Sequence, residues 1–239
     1  MPAISVLMPV WNGLRNGSDY FLKMAVESIL DQTFQDFEFV IVDDGSTDQT
    51  VAFLSRYGDP RMRVIRSPSN GGIVSALNRG LAECRAPLVA RQDADDVSTV
   101  TRLEIQRAFL GDRPETAMCG SWMYVINEEG KLVMHVDDRP CAYSVIREFL
   151  KKGSPFVHGS VMYRREVVAK LGGYSTDPRF RHAEDYELWV RMAKNHVVEN
   201  IPGATLYFHR NHGSKISEVY KGAQEKATKL IMEIAKAIL

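Results

Sequence analysis

The segment FEFVIVDDGS, residues 37–46, decides the fold of this chain. Five of the six residues from Phe37 to Val42 are apolar, and the run is short enough for a buried strand. It ends abruptly in Asp43-Asp44-Gly45-Ser46, whose small polar side chains favour a turn followed by the N-cap of a helix. The segment therefore predicts a strand, a loop and a helix, the repeating unit of a parallel sheet covered by helices.

The same alternation extends outward from this segment, over residues 4 to 95. Three further short apolar runs predict strands: Ile4–Met8, which Pro9 is expected to end, Met62–Ile65 and Leu88–Ala90. Between the strands, apolar residues recur at helical spacing, as in the series Ile73, Leu77 and Leu81. The pattern predicts an α/β fold with a Rossmann-like, mostly parallel sheet and helices on both of its faces.

Beyond residue 115 the pattern changes to longer strands, predicted at Met118–Ile126, Leu132–His135 and Ser160–Tyr163, and to a terminal helix from about Glu218. No linker rich in Pro, Gly or Ser separates the two halves. We therefore expect one continuous domain over residues 1–217. Within it, residues 1–96 suit a nucleotide and residues 97–217 a second ligand, and residues 218–239 form a C-terminal helix.

Composition excludes several classes of function. The 239 residues contain 30 Lys and Arg and 30 Asp and Glu, so no net charge attracts nucleic acid. The apolar runs are far shorter than the roughly 18 residues that a membrane span needs, and the N-terminus lacks a signal-peptide pattern. Three cysteines without a Cys-x-x-Cys pair indicate reduced, packed thiols. These features predict a cytoplasmic protein without a nucleic-acid partner.

Three polar clusters follow predicted strands: Pro9-Val10-Trp11-Asn12, Asp43-Asp44-Gly45-Ser46 and Asp93-Ala94-Asp95-Asp96. In open α/β sheets, ligands bind in the crevice at the carboxyl ends of the strands. The chain has no G-x-G-x-x-G after a strand and no G-x-x-x-x-G-K-[ST], which argues against a Rossmann dehydrogenase and a P-loop enzyme.

The Asp93-x-Asp95 pair has two interpretations. At the end of a strand, two carboxylates can hold a hard divalent ion that keeps its other positions for water and diphosphate oxygens. Alternatively, the same residues form a turn and an N-cap before the helix predicted from about Val100. Arg91, two residues earlier, could add positive charge toward a diphosphate.

Together with other segments in the same order, these clusters resemble the successive motifs of family 2 glycosyltransferases. The matching segments extend from residue 5 almost to His212: residues 5–12 (SVLMPVWN), 28–33 (SILDQT), 37–48 (FEFVIVDDGSTD), Asn70-x-Gly72, Asn78-x-Gly80, 90–96 (ARQDADD), 172–174 (GGY) and 184–189 (EDYELW). The resemblance implies a GT-A fold and transfer of a sugar from a nucleotide diphosphate donor with inversion at the anomeric carbon.

The resemblance also implies which residues bind the donor. They are Pro9, Val10, Trp11, Asn12, Asp44, Asn70, Arg91 and Asp93. Trp11 would stack on the base, usually uracil, Asp44 would accept a hydrogen bond from it, and Asp93 would lie against the ribose or the metal. The residues alone leave alternatives open: Trp11 as a surface aromatic, and Asp44 as a turn former.

For the metal, the resemblance implies Asp95 as the main ligand and His212, in the segment Arg210-Asn211-His212, as a second ligand. The cofactor would be a divalent ion, Mn²⁺ or Mg²⁺, and a histidine ligand would favour manganese. The alternative for His212 is a hydrogen-bonded loop histidine. The role of His209 stays open.

The second half would bind the acceptor. Segment 155–160 (PFVHGS) resembles the part of the family that lies under the acceptor, which makes His158 an acceptor-binding candidate. Glu184, in the matching segment 184–189, is the second candidate. On the helix predicted from Glu184 to Lys194, Asp185 points along the apolar face with Leu188 and Trp189. The resemblance implies that Asp185 is the general base. The alternative for His158 is a structural role, and the alternative for Asp185 is to cap the start of the helix.

The terminal helix carries Ala227, Ile231, Ile234 and Ile238 on one face. This pattern is typical of a helix docked on its own domain, while a contact with the inner face of the membrane is the second interpretation. We therefore predict an inverting glycosyltransferase that uses a UDP-sugar and a glycan or lipid-linked acceptor. The alternatives are a non-catalytic nucleotide-sugar-binding domain and a nucleotidyltransferase.

Overall fold

The computed structural model describes residues 1–14, 18–212 and 220–239. The strands are β1 (Ile4–Val10), β2 (Phe37–Asp43), β3 (Met62–Arg66), β4 (Leu88–Arg91), β5 (Val97–Ser98), β6 (Thr116–Ile126), β7 (Leu132–Val136), β8 (Met162–Arg164) and β9 (Val197–Arg210). The helices are α1 (Tyr20–Leu30), α2 (Thr50–Leu54), α3 (Ile73–Glu83), α4 (Arg102–Gly111), α5 (Tyr143–Phe149), α6 (Arg165–Lys170), α7 (Glu184–Asn195) and α8 (Lys221–Ile238). Short 3₁₀ turns lie at His158–Ser160 and Pro178–Phe180.

The strands of the described residues form one sheet in the order β3-β2-β1-β4-β8-β6-β9-β5, with β7 beside β6. The first four strands are parallel, and Val6 of β1 lies opposite Phe39 of β2 and Ala90 of β4. β8 pairs antiparallel with β4 and β6, whereas β6 and β9 run parallel. The order 3-2-1-4 is that of a nucleotide-binding sheet, so the predicted fold class is confirmed.

Alternate residues of each central strand supply two cores. Ile4, Val6 and Met8 of β1 pack with α1, α2 and α4 on one face, whereas Leu7 packs with α3 and the helices α5 to α8 on the other. The β1 and β2 residues are buried throughout because both faces of the sheet are covered. The predicted helices on both faces are therefore confirmed.

Two of the segments that resemble the family hold the halves together. The side chain of Asn78 on α3 binds the backbone of Tyr174, donating to its carbonyl and accepting from its N–H, both at 2.9 Å. Gly80, one half-turn on, packs so close to Leu7 and Val42 that a Cβ would clash with them. These residues let α3 lie directly on the sheet while it anchors the loop before α7.

Two predicted strand boundaries are wrong. β1 continues through Pro9 to Val10, because Leu7 is the last β1 residue that pairs with β4 and the missing N–H of Pro9, on that same side, leaves no partner unsatisfied. The strand predicted at 160–163 begins instead at Met162, after the turn His158–Ser160, where Ser160 donates back to the carbonyl of Val157.

Helix α8 docks on the domain through its apolar face. Ala227, Ile231 and Ala235 are buried in the same core as α7, which confirms the docked interpretation. The helix begins at Lys221, while the predicted start at Glu218 and the predicted domain boundary between 217 and 218 lie outside the described residues. In the described ranges, no helix combines the length and the apolar character that crossing a bilayer requires.

Candidate active site

The carboxyl ends of β1, β2 and β4 lie at one edge of the sheet, beside the point where the strand order reverses between β1 and β4, which is where an open α/β sheet forms its ligand cleft. Pro9 and Val10 are buried at the end of β1, beneath the loop that begins with Trp11. Trp11 follows the strand and is 55% exposed, which leaves the faces of its indole free of core packing. Trp11 is therefore the accessible aromatic surface on this side.

Asn12 fixes the loop after β1 to the loop after β2. Its backbone is left-handed (φ 47°), a conformation that asparagine tolerates better than most residues. The N–H of Asn12 donates to Ser46 Oγ at 2.8 Å, and Asn12 Oδ1 accepts from the N–H of Thr47 at 2.9 Å. The two loops that border the predicted base site thus form one hydrogen-bonded unit.

Asp44 is buried, and its carboxylate binds the backbone before α3. Oδ1 accepts from the N–H of Gly71 at 3.0 Å, and Oδ2 accepts from the N–H of Gly72 at 2.8 Å. Asn70 Oδ1 also accepts from Gly72. A carboxylate oxygen has two lone pairs, so each oxygen of Asp44 keeps one site for a further donor. Asp44 therefore shapes the loop and retains capacity for a ligand.

Arg91 and Asp93 form a pair at the bottom of the cleft. The guanidinium of Arg91 is 1% exposed and donates to Asp93 Oδ1 at 2.7 Å. Burial raises the pKa of Asp93, and the nearby Arg91 opposes that rise. Because Arg91 is enclosed, its guanidinium faces Asp93 rather than solvent, and its predicted contribution of positive charge toward a diphosphate stays a prediction.

Asp95 and His212, which are 117 residues apart in the chain, lie in contact. His212 Nε2 and Asp95 Oδ2 are 2.9 Å apart, and the imidazole stacks on Phe21 with ring centroids 5.7 Å apart. Two neighbouring ligands of a six-coordinate ion, each about 2.1 Å from it, are themselves about 3 Å apart. The spacing of Asp95 and His212 therefore fits a shared divalent ion.

The described residues contain no group of three or more His, Cys, Asp or Glu side chains arranged to hold a metal. The pair Asp95 and His212 would therefore leave most coordination positions to other oxygen ligands. This donor set fits an ion that is held jointly by protein and diphosphate, rather than a closed structural site.

Residues that the sequence analysis did not single out position this pair. Asp96 is buried and accepts from the N–H of Arg210 at 2.7 Å, and its other oxygen lies 3.0 Å from His209 Nδ1. Arg210 donates to the carbonyl of Asp95 at 2.9 Å. These hydrogen bonds hold residues 93–96, here called the acidic loop, against the end of β9, and His209 takes part in them. Only the pairing of distant segments reveals these roles.

A second buried arginine supports the same loop from below. Arg102 on α4 donates to Gln92 Oε1 and to the carbonyls of Arg91 and Val161, and burial lowers its pKa to about 10. Its neighbour Gln106 binds the carbonyl of Ser160 at 2.7 Å. Helix α4 therefore connects the acidic loop to the turn at 158–160.

That turn brings the acceptor-side candidate His158 close to the acidic loop. A Cβ at Gly159 would clash with the hydroxyl of Tyr207 and lie 2.7 Å from Asp93 Oδ2, so only glycine fits there. His158 Nε2 lies 3.0 Å from the hydroxyl of Tyr174, and burial lowers the His158 pKa well below its usual range. His158 is a neutral imidazole in this wall of the cleft.

The acidic pair Glu184 and Asp185 begins α7 on the opposite side. Asp185 is partly accessible; burial raises its pKa, the backbone N–H groups of Tyr186 and Asp185 at the helix start oppose the rise, and Asp93 adds to it. Trp189, one turn after Asp185, packs edge-on against His158 with ring centroids 6.0 Å apart, and Gly159 beside His158 lies against Asp93, so α7 and residues 93–96 are close in space. Leu188 and Trp189 are fully buried below.

Glu184 is 7% exposed, and burial raises its pKa to about 7. The charge of Asp185 adds to this rise, and Oε2 of Glu184 has no hydrogen-bond partner within the described part of the chain. Two adjacent carboxyl groups with raised pKa values in one cleft are typical of acid–base chemistry.

Comparison with known proteins gives the class of this molecule. Its curated relatives include the "Putative glycosyltransferase EpsE" of Bacillus subtilis, 33% identical over 197 residues (80% of this chain and 66% of that protein). They also include the "Amylovoran biosynthesis glycosyltransferase AmsE" of Erwinia amylovora, 30% identical over 201 residues, with 83% and 73% covered. Residues 5–172 match the model of Glycosyl transferase family 2, and the chain belongs to that family.

Solved structures share the fold. S. aureus TarS 1–349 in complex with UDP-GlcNAc aligns with a TM-score of 0.72 at 21% identity, covering 89% of this chain and 59% of that one. The mannosyltransferase PcManGT from Pyrobaculum calidifontis, in complex with GDP-Man and Mn²⁺, aligns with a TM-score of 0.70 at 21% identity, covering 99% and 64%. The chain spans about two thirds of the length of EpsE and PcManGT and somewhat less of TarS 1–349.

Proposed function

We propose that the protein transfers a sugar from a nucleotide diphosphate donor, a UDP-sugar, to a hydroxyl group of a glycan or lipid-linked acceptor, with inversion of the anomeric carbon. One observation carries this proposal: Asp95 and His212, which are 117 residues apart in the chain, lie 2.9 Å apart after β4, and α7, which begins with Glu184 and Asp185, packs against His158 beside the same loop. The contents of the TarS and PcManGT structures, nucleotide sugars in both and Mn²⁺ in one, support it.

The donor base would lie at the end of β1 and β2. Trp11 offers its exposed indole for stacking, and the free lone pairs of Asp44 accept from the imide N–H of uracil. Asn12 and Asn70 act on this site through the loops they hold. Pro9 and Val10 contribute the floor of the site, and Asp93, oriented by Arg91, faces the ribose and the diphosphate.

Asp95 and His212 would hold a divalent ion, and the imidazole ligand favours manganese over magnesium. When bound, the ion neutralises charge that develops on the diphosphate as it leaves. Asp96 and Arg210 orient this pair by fixing the backbone on both sides of it.

Asp185 would act as the general base. Inversion in a single displacement needs one carboxylate that removes the acceptor hydroxyl proton as the oxygen attacks the face opposite the diphosphate. Burial raises the Asp185 pKa, which strengthens this carboxylate as a base. Glu184 and His158 line the acceptor side, and the neutral His158 can exchange a hydrogen bond with a sugar hydroxyl.

The proposed location follows from the donor and the acceptor. UDP-sugars are expected in the cytoplasm, and a lipid-linked acceptor would bring the enzyme to the inner face of the membrane. Because the apolar face of α8 is docked on the domain, membrane contact through this helix would use its exposed lysines rather than its isoleucines.

Titration calorimetry with UDP tests the donor half of this proposal. We expect binding in the presence of Mn²⁺ and a marked loss of affinity after addition of EDTA. Equal affinity under both conditions would contradict the metal role of Asp95 and His212. A UDP-sugar that binds without any transfer or hydrolysis, over a panel of glycan and lipid-linked acceptors, would instead support a non-catalytic binding domain.

A further inference from the structure

A cleft of about 560 Å³ lies beside the start of α7, away from the proposed donor residues. One wall is the loop between Pro178 and His182, and the other is the beginning of α8; the lining residues on α8 and its N-cap are Tyr220, Ala223, Lys226 and Ala227. His182 precedes Asp185 by three residues, so their Cα atoms are no more than about 11 Å apart. A molecule in this cleft is therefore within reach of the proposed base.

Among the residues that the structure describes, the cleft is lined by basic side chains and by no acidic one. Arg179 is paired with Asp177 at 2.6 Å. Arg181 and Lys226 form no ion pair with any side chain in the described ranges, although both line the cleft. Cations that line one cleft without a counter-charge from the described residues favour the binding of an anion between them.

The imidazole of His182 and the start of α8 form the rest of the border of the cleft. Nδ1 of His182 is buried and has no hydrogen-bond partner among the described residues, and burial lowers the His182 pKa. The ring is held against Tyr220, with centroids 4.3 Å apart and planes at 9°, although the backbone of His182 is in the left-handed region (φ 70°). Helix α8 begins at this point without an acidic residue in its first turn, so its positive end borders the cleft.

We propose that this cleft binds a phosphate group of the acceptor, an assignment that rests on the proposed function. Two cations without an ion pair in the described ranges, together with a helix N-terminus, match the charge of a phosphate better than a neutral sugar. The phosphate can belong to an isoprenoid diphosphate that carries the acceptor sugar, or to a polyol phosphate. In both cases it fixes the acceptor hydroxyl near Asp185.

Calorimetric titration of three probes tests the cleft: farnesyl diphosphate, glycerol 1-phosphate and inorganic pyrophosphate. The full chain is first saturated with UDP and Mn²⁺, so that the donor site is filled. The variants are Arg181→Gln and Lys226→Gln, and the matched control is Lys229→Gln, which removes an exposed cation of the same helix outside the cleft. We expect each cleft variant to weaken probe binding by about tenfold and the control to leave it unchanged. Melting temperatures of all three variants check the fold.

The outcomes separate the sources of the phosphate. Binding of farnesyl diphosphate alone indicates a lipid carrier, and binding of glycerol 1-phosphate as well indicates recognition of the phosphate itself. If no probe binds the wild type, or if Arg181→Gln and Lys226→Gln bind like Lys229→Gln, the proposal is overturned. UDP affinity is measured in a separate titration. If UDP does not bind while probe binding still depends on Arg181 and Lys226, the phosphate site stands and the proposed donor chemistry fails.

Discussion

Asp44 and Glu184 both have buried carboxyl groups, yet their hydrogen-bonding environments differ. Asp44 accepts two backbone N–H groups, from Gly71 and Gly72. Glu184 keeps one oxygen without a partner among the described residues, and burial raises its pKa to about 7. Asp44 thus has a backbone partner for each of its oxygens, whereas burial with an unpartnered oxygen favours the protonated form of Glu184.

This difference in hydrogen bonding matches the roles proposed for the two sides of the cleft, which are donor binding and catalysis. On the donor side, Asn12 and Asp44 are committed to backbone groups, so the loops that would hold a nucleotide are rigid before it binds. On the catalytic side, Asp185 and Glu184 are desolvated and electrostatically coupled. Groups that move protons need such an environment, and groups that position a ligand do not. Four predictions test this contrast.

The largest effect is expected at Asp185. Asp185→Asn, which is nearly isosteric, removes the proton acceptor, and we expect turnover to fall by about two orders of magnitude or more. UDP affinity and melting temperature should hardly change, because the proposed role is confined to the transfer step. Steady-state kinetics, UDP titration and thermal unfolding measure the three quantities.

The control for Asp185 is Glu166→Gln, which removes an exposed acid from the first turn of α6. It should leave all three quantities unchanged. Near-normal turnover in Asp185→Asn, or a loss of activity that only follows a lower melting temperature, would make Asp185 a helix cap and return the search for the base to other residues.

The next effect concerns the metal pair. Asp95→Asn and His212→Gln each remove one ligand, so the gain in UDP affinity that Mn²⁺ provides should fall by tenfold or more, and turnover with it. UDP affinity measured with EDTA should stay the same in all proteins. His196→Gln, at the end of α7, is the control histidine. An unchanged Mn²⁺ dependence in both variants would show that the 2.9 Å contact is structural.

A smaller effect is expected at Asp44. Asp44→Asn keeps one acceptor oxygen but turns an N–H₂ group toward Gly71 or Gly72, so the donor site loosens. We expect the donor KM to rise by about tenfold while kcat changes little, since the contact is present in the ground state and the transition state alike. Asp112→Asn, at the exposed end of α4, is the control. A loss of kcat at unchanged KM would place Asp44 in the chemistry.

The last prediction concerns Glu184→Gln, which should reduce turnover less than Asp185→Asn does. Its main expected effect is on how the free energy of unfolding depends on pH. The folded protein raises the pKa of Glu184 from 4.5 to about 7, so the native state holds this proton more tightly than the unfolded chain. Its contribution to stability is complete below pH 4.5 and is lost as pH rises through about 7, a change of roughly 3 kcal/mol.

Because Gln cannot titrate, Glu184→Gln should gain stability relative to the wild type between pH 5 and pH 8. Urea unfolding at both pH values measures the free energy of unfolding, and Glu166→Gln serves again as the control. A constant difference between the wild type and Glu184→Gln over this range would mean that Glu184 is solvated, and the contrast with Asp44 would disappear.

The sequence by itself determined the order of the elements in the first half. Short apolar runs such as Phe37–Val42, each followed by a helical pattern, are local signals, and the family motifs lie on them in a fixed order. The identity of the candidate acids was also readable, because carboxylates directly after buried strands must emerge at one edge of a parallel sheet. The continuation of β1 through Pro9 could not be predicted from the sequence, since it depends on which residues of β1 pair with β4.

Only the tertiary structure decided how the second half completes the site. β9 returns to lie between β6 and β5, and this return brings Arg210 to Asp96 and His212 to Asp95; the family resemblance had implied only that His212 and Asp95 share a metal. No pattern within a short window of sequence specifies a pairing over more than a hundred residues. The raised pKa of Glu184 and the basic cleft beside α8 have the same origin, because burial and the convergence of charges exist only after distant segments have packed.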